Sequence, residues 1–306
     1  DLATLAAVSR VDEDELLDHL DPALDAGLLR EDGIDRYLFG HALVRDTIYA
    51  AIPAARRARA HARVAESVAG TPGRETEVAR HWLAAGPSYA PRAWLAAVGA
   101  AALARRLHAY EESADLLRSA LATLPQDPDS TARERFDVLT DLADAKRWSG
   151  DWGGLVETAE ELVAVARELD DVDLLAVAAT TTAVGALWQS GPHGSVNDVV
   201  VGALRDCVGR LPTHDSPVRC RVMLSLALEI YYGSTFEERR ALVDEGLAMA
   251  RRLRDETLLL DACQLAYTAL WRPSTALERR DLATEGMELA HRLGNDVLLL
   301  RIDEFD

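Results

Sequence analysis

From about residue 74 onward, apolar residues recur three and four positions apart, in segments rich in Ala, Leu, Arg and Glu and punctuated by Gly or Pro. That is the spacing of helices that each bury one stripe, and it predicts an all-α architecture. The pattern also repeats: residues 235–262 and 275–302 align at a shift of 40 with 13 identities in 28 positions, including Glu238/Glu278, Arg239/Arg279, Arg240/Arg280, Glu245/Glu285, Gly246/Gly286 and Leu253/Leu293. Weaker copies phase on a helix-ending leucine at Leu124, Leu169, Leu211, Leu253 and Leu293. An aromatic followed by a small turn residue precedes each later unit, at Trp148–Gly150, Trp188–Gly191, Tyr232–Gly233 and Trp271–Ser274. A unit of about 40 residues with two helices cannot bury both of its faces alone, so the units are expected to stack into an α-solenoid. Leu253 and Leu293 are expected at equivalent buried positions.

The first 70 residues are patterned differently. Asp12-Glu13-Asp14-Glu15 precedes Leu16, Leu17, Leu20 and Leu24, a capped amphipathic helix that ends at Gly27. The period then shortens, with Leu28-Leu29-Arg30, a polar turn at Glu31-Asp32-Gly33 and Tyr37-Leu38-Phe39 forming a small hairpin. Helices resume at His41 and after Pro53, a residue suited to a first helical turn. Helices around a two-stranded wing are the outline of a winged helix. The expected division is therefore 1–70 winged helix, 71–128 helical linker and first repeat, and 129–306 solenoid. The solenoid reads as truncated, because Leu298, Leu299, Leu300, Ile302 and Phe305 are the opposite of a polar capping helix, and the native protein is expected to continue past residue 306.

Charge narrows the function. With 33 basic and 51 acidic residues the net charge is −18, a balance that repels phosphate backbones and anionic lipid. Residues 12–26, the candidate recognition helix, carry seven carboxylates and no Lys or Arg, so direct nucleic-acid binding is not expected. Charge-free stretches fall short of a membrane span, and the start Asp-Leu-Ala-Thr has neither a basic region nor a cleavage site. Cys207, Cys220 and Cys263 are too few for a disulfide framework, and together these features predict a cytoplasmic location and a piece of something longer. Residues 41–70 reverse the balance, with five bases against two acids. Arg56, Arg57 and Arg59 there grip an acidic neighbour or a phosphate, or form a solvated face.

No GxxxxGK[ST], HExxH, CxxC or GxSxG occurs, so neither an NTPase nor another enzyme is expected from this chain alone. Cys207, His214 and Cys220 offer three soft ligands where a structural zinc site wants four, and no metal is expected. The aromatics Trp148, Trp152, Trp188, Tyr231, Tyr232 and Trp271 are either wedges between repeats or the lining of a groove that captures a protein, peptide or small-molecule effector.

Leu38-Phe39-Gly40-His41-Ala42-Leu43-Val44-Arg45-Asp46-Thr47-Ile48-Tyr49, Arg56-Arg57-Ala58-Arg59-Ala60-His61 and Val78-Ala79-Arg80-His81-Trp82 resemble the region that follows the nucleotide-binding module in actinobacterial STAND ATPases, large LuxR-type transcriptional regulators among them. The resemblance covers essentially the whole chain as a winged helix followed by a tetratricopeptide-like (TPR-like) α-solenoid, with residues 38–82 carrying its motifs. It implies a regulatory sensor placed between an ATPase module that binds ATP or ADP and an output module acting in transcription regulation. It also implies that His41 reaches the phosphates of ADP; Gly40 and Ala42 stand where the family has Met and Asp. The contrasting expectation is a passive TPR-like scaffold that binds a protein or peptide with no ATPase coupling.

Overall fold

The computed structural model describes residues 1–185 and 188–294. The apolar run at 298–305 and the expected continuation of the chain lie outside them. The protein is predominantly helical and divides into two compact units, Asp1–Ser149 and Gly150–Asp306.

The first unit opens with α1 (Leu2–Ser9) and α2 (Glu13–Asp25), a two-stranded antiparallel hairpin of β1 (Leu29–Glu31) and β2 (Tyr37–Phe39), then α3 (Ala42–Ala51) and α4 (Ala54–Val68). The Asp12 carboxylate caps α2 by accepting from the Asp14 N–H at 3.0 Å, which satisfies one of the orphan donors of a helix start. The hairpin pairs Leu29 with Phe39 and Glu31 with Tyr37. Gly27 and Gly33, at φ 67° and 94°, lead into the hairpin and turn it, in a region of backbone space that side chains disfavour. α5 (Glu75–Ala84), α6 (Ala90–Arg106), α7 (Tyr110–Thr123) and α8 (Ala132–Ser149) follow, each packed on the next. Small residues let these helices approach closely: Ala62 and Ala65 meet Trp82, Ala85 and Ala93 in one cluster, and Ala79, Ala97, Ala100 and Ala101 surround Leu117 and Leu142 in the next. The buried Trp94 indole N–H donates to the Asp127 carboxylate at 2.8 Å, so its polar edge is satisfied inside the core.

The second unit contains α9 (Trp152–Glu168), α10 (Val172–Thr180), α11 (Asp198–Arg210), α12 (Pro217–Glu229), α13 (Phe236–Leu253), α14 (Glu256–Ala269) and α15 (Ala276–Leu293). Its principal contacts join helices one or two apart in sequence, as expected where each helix pair stacks on its neighbour. One core runs through α12–α15, built on Leu224, Leu228, Val243, Leu258, Leu260 and Leu270. The shift of 40 is literal here: α13 and α15 have 18 residues each, begin after Thr235 and Thr275, and end at Leu253 and Leu293 before a left-handed residue, Arg254 or Gly294. The earlier marker leucines also sit at helix ends, Leu124, Leu169 and Leu211 being the C-caps of α7, α9 and α11. The equivalence is one of position rather than burial. Leu253 lies partly buried against the core whereas Leu293 is 39% exposed.

Candidate functional site

The ends of α12–α15 gather the aromatic turn residues of the second unit. The Tyr231 ring lies 4.8 Å from Trp188 and 5.0 Å from Tyr232, and Trp188 stands edge-on to Trp271 at 6.0 Å. The Tyr231 hydroxyl donates to the Trp271 carbonyl at 2.7 Å. Tyr232 turns aside, its hydroxyl 2.8 Å from His193 Nδ1. The segment that carries Trp188 is held by Glu229, the fully buried last residue of α12. Its carboxylate accepts from the Thr182 hydroxyl at 2.9 Å and from the Ser190 hydroxyl and N–H at 2.7 and 3.2 Å. Burial pushes the Glu229 carboxyl up from the ordinary range, against the pull of these donors.

Guanidinium groups lie on these rings. Arg239 stacks 4.4 Å from the centre of Tyr231 and donates to the Tyr231 carbonyl. Arg279, one repeat later, stacks 4.2 Å from the centre of Trp271 and also covers Tyr267. Arg272 lies 4.2 Å from the centre of Phe236, a ring that Arg239 shares at 5.8 Å. Burial and the neighbouring Arg272 charge lower the Arg239 pKa. The Nε atoms of Arg239 and Arg279 and the Trp188 indole nitrogen are buried without a hydrogen-bond partner. Such an arrangement suits recognition of anions and of flat or apolar groups.

The remaining sequence candidates are dispersed. Trp148 belongs to the first unit, where Tyr110 stacks on it at 6.0 Å beside a depression of about 400 Å³ lined by His108, Tyr110, Glu111, Glu112 and Trp148. Trp152, at the start of α9 in the second unit, is half exposed. The basic helix α4 carries Arg56, Arg57 and Arg59. Arg57 folds over the Tyr49 ring at 4.8 Å and donates to the Tyr49 carbonyl, whereas Arg56 and Arg59 are exposed. His41 is the exposed N-cap of α3, and its side chain makes no capping hydrogen bond.

His61 and His81 join in a chain that sequence alone does not indicate. The Tyr49 hydroxyl is 2.7 Å from His61 Nε2, and His61 Nδ1 is 2.8 Å from His81 Nδ1, a contact that needs a lone pair on one ring and therefore at least one neutral imidazole. Burial lowers the pKa of both; the His81 charge and Arg57 add to this at His61, and Glu77 opposes it at His81.

Cys207, Cys220 and Cys263 are buried, with thiols pushed up to about 11, 11 and 12, which leaves them protonated and unreactive near neutrality. Among the described residues, no group of three or more His, Cys, Asp or Glu side chains is placed to hold a metal ion, and no helix is long and apolar enough to cross a membrane.

What sequence reasoning missed is the arginines. Arg239/Arg279 is visible as a repeat identity, and in both copies an aromatic lies eight residues earlier, at Tyr231 and Trp271. That spacing is the signal that finds the stacks.

No known family profile matches this sequence, and no curated protein is significantly similar to it. Among solved structures, BtubC from P. vanneervenii is similar at 12% identity and a TM-score of 0.47, over 80% of this chain and 93% of that one. A Signal Transduction ATPase with Numerous Domains (STAND) protein with a tetratricopeptide repeat sensor, from Pyrococcus horikoshii, is similar at 13% identity and a TM-score of 0.39, over 97% of this chain and 48% of that one.

Proposed function

We propose that this chain is the regulatory, partner-docking part of a STAND ATPase-coupled transcriptional regulator. In this reading residues 1–70 are a winged helix that packs on a nucleotide-binding module, and the TPR-like repeats dock an effector or partner protein. The observation that carries the reading is α3. Its sequence, Ala-Leu-Val-Arg-Asp-Thr-Ile-Tyr-Ala-Ala, is largely apolar, yet it contains no buried residue. Leu43 is 77% exposed, with Ile48, Tyr49 and the hairpin residues Leu38 and Phe39 also exposed nearby in sequence. Large apolar side chains left exposed in this number within one short segment are the composition expected of an interface. In this reading His41, the N-cap of the same helix, would reach a phosphate of the bound nucleotide, since a helix start favours negative charge. Docking of a partner on the repeats would shift the population from a closed, ADP-holding state to an open one by its differential affinity for the two.

The complete reading frame and the full-length protein test this. A GxxxxGK[ST] segment is expected upstream of residue 1, with His41→Ala releasing ADP at least tenfold faster and Leu43→Asp raising basal nucleotide hydrolysis. A reading frame without a P-loop overturns the proposal and leaves a passive scaffold; a P-loop protein in which neither substitution changes nucleotide handling overturns the assigned role of α3.

A further inference from the structure

We infer that the arginine and aromatic cluster at the ends of α12–α15 binds a carboxylate-rich, extended peptide segment of a partner protein. Arg239, Arg272 and Arg279 would hold its carboxylates, and Phe236, Tyr231 and Trp271 flank it. This deepens the docking role of the repeats proposed above and does not depend on any coupling to an ATPase.

The first support is an exception in the ion pairing. On α13 and α15, Arg240 holds Asp244 and Glu278, Arg251 holds Glu285, Arg252 holds Asp215 and Glu245, Arg280 holds Asp281, and Arg292 holds Glu256. Arg239 and Arg279, equivalent positions of the repeat, lie on rings instead. In a chain with 51 acidic residues, carboxylates are the partners in greatest supply.

The second support is the environment of Arg239. It is 7% exposed, donates to the Tyr231 carbonyl and lies on two aromatic faces, with the like charge of Arg272 on the shared Phe236 ring outweighing the attraction of Glu237. Buried charges are ordinarily paired. An anion seated beside these groups relieves the repulsion between them. A guanidinium lying flat on a ring retains N–H donors along its edge, the geometry that grips a carboxylate with two parallel hydrogen bonds.

The third support chooses the ligand. The stack recurs at a shift of 40, as Tyr231 with Arg239 and Trp271 with Arg279, so a linear segment crossing two helix pairs meets equivalent cations in succession. Trp271, 37% exposed, offers apolar contact beside Arg279. The net charge of −18 opposes approach at long range, but at physiological salt the field is screened beyond about 8 Å, which leaves the local cations to decide contact.

Fluorescence anisotropy on the whole 306-residue chain tests the inference. The probe is a fluorescein-labelled dodecapeptide of three Glu-Glu-Leu-Phe repeats, compared with the same peptide carrying Gln for every Glu. Saturable binding of the Glu peptide is expected, at least tenfold weaker binding of the Gln peptide, and at least a tenfold loss in an Arg272→Gln, Arg279→Gln double variant. Arg280→Gln, which removes an exposed paired arginine, should bind as the parent does. If the double variant does not fold by circular dichroism, the exposed Arg272→Gln single variant must show at least a threefold loss. Absence of saturable binding, equal binding of the Gln peptide, or no loss in the variants overturns the inference. Anionic vesicles or duplex DNA binding with the same arginine dependence would overturn the peptide assignment. A failed peptide titration leaves the reading-frame test standing, and a reading frame without a P-loop leaves the peptide site standing.

Discussion

The hairpin with α3 and the helix pairs α12–α15 are built from similar apolar residues and put them to opposite use. Leu224, Leu228, Leu258 and Leu270 are 0–1% exposed in the core of the second unit, whereas Leu43 is 77% and Ile34 91% exposed in the first. The difference lies in neighbours. A repeat helix meets its partner in the pair and the next pair along, so its apolar stripe is covered by the same chain. α3 has its principal contact with β2, a three-residue strand that is itself mostly exposed. Hydrophobicity drives burial only as far as a covering surface exists, and within the described residues α3 has little of one.

The largest effect that separates the two regions is core truncation. Leu258→Ala should cost about 2–5 kcal/mol in chemical denaturation, since it opens a cavity in a closely packed core. A cost below about 1 kcal/mol would mean that the core around Leu258 collapses to fill the gap.

The two repeat glycines sharpen the comparison within the second unit. A Cβ on Gly246 would lie 2.7 Å from both Cγ and Cδ2 of Leu224, whereas on Gly286 it would meet Cys263 Cβ at an ordinary 3.7 Å. Gly246→Ala should therefore destabilise by about 1–3 kcal/mol through overpacking. Gly286→Ala, at the equivalent helical position, should stabilise by up to about 1 kcal/mol through helix propensity. Equal shifts in the two denaturation midpoints would refute the packing difference.

Acid should distinguish the units in direction. The folded-state pKa values of His61 and His81 are lowered from 6.5, so their neutral forms favour the fold. That stability is fully present above pH 6.5 and is lost as pH falls through the lower folded values. Glu229 works the other way. Its raised pKa gives a contribution that is complete below its unfolded value of about 4.5 and is lost as pH rises through the folded one. Between pH 7.5 and 5.5, hydrogen exchange in α4 and α5 should accelerate, after correction for the intrinsic rate, more than in α12. A His81→Asn variant should flatten the response of α4 and α5; an unchanged response would assign it to other groups.

The smallest effect is expected where the sequence is most apolar for its exposure. Leu43→Ala should change the stability of this chain by no more than about 0.5 kcal/mol, the usual range for a surface substitution. A loss above about 1.5 kcal/mol in denaturation would mean that α3 is covered within the chain.

Much of the repeat architecture was legible because its signals are local. Helical period, capping residues and turn glycines act within a few positions, and the 40-residue shift that places Thr235 and Thr275 before two 18-residue helices is written in the residues themselves. The two strands of the hairpin were legible for the same reason, from the polar turn between Leu29 and Phe39. The candidate site was only half legible. Trp188 and Trp271 announce themselves as aromatics beside turns, but nothing local tells that they meet each other, or that Trp148 and Trp152, four residues apart, belong to different units. The choice of Arg239 for an aromatic face and of Arg240 for a carboxylate is likewise absent from the sequence. The two arginines are adjacent and chemically identical, and on a helix one residue is a rotation of about 100°. Sequence determined that a helical repeat would form and where each helix would stop, because backbone hydrogen bonding and capping are short-range. Only tertiary structure decided which charge found a counter-ion and which apolar face stayed uncovered, because both depend on what the other helices bring within a few ångströms.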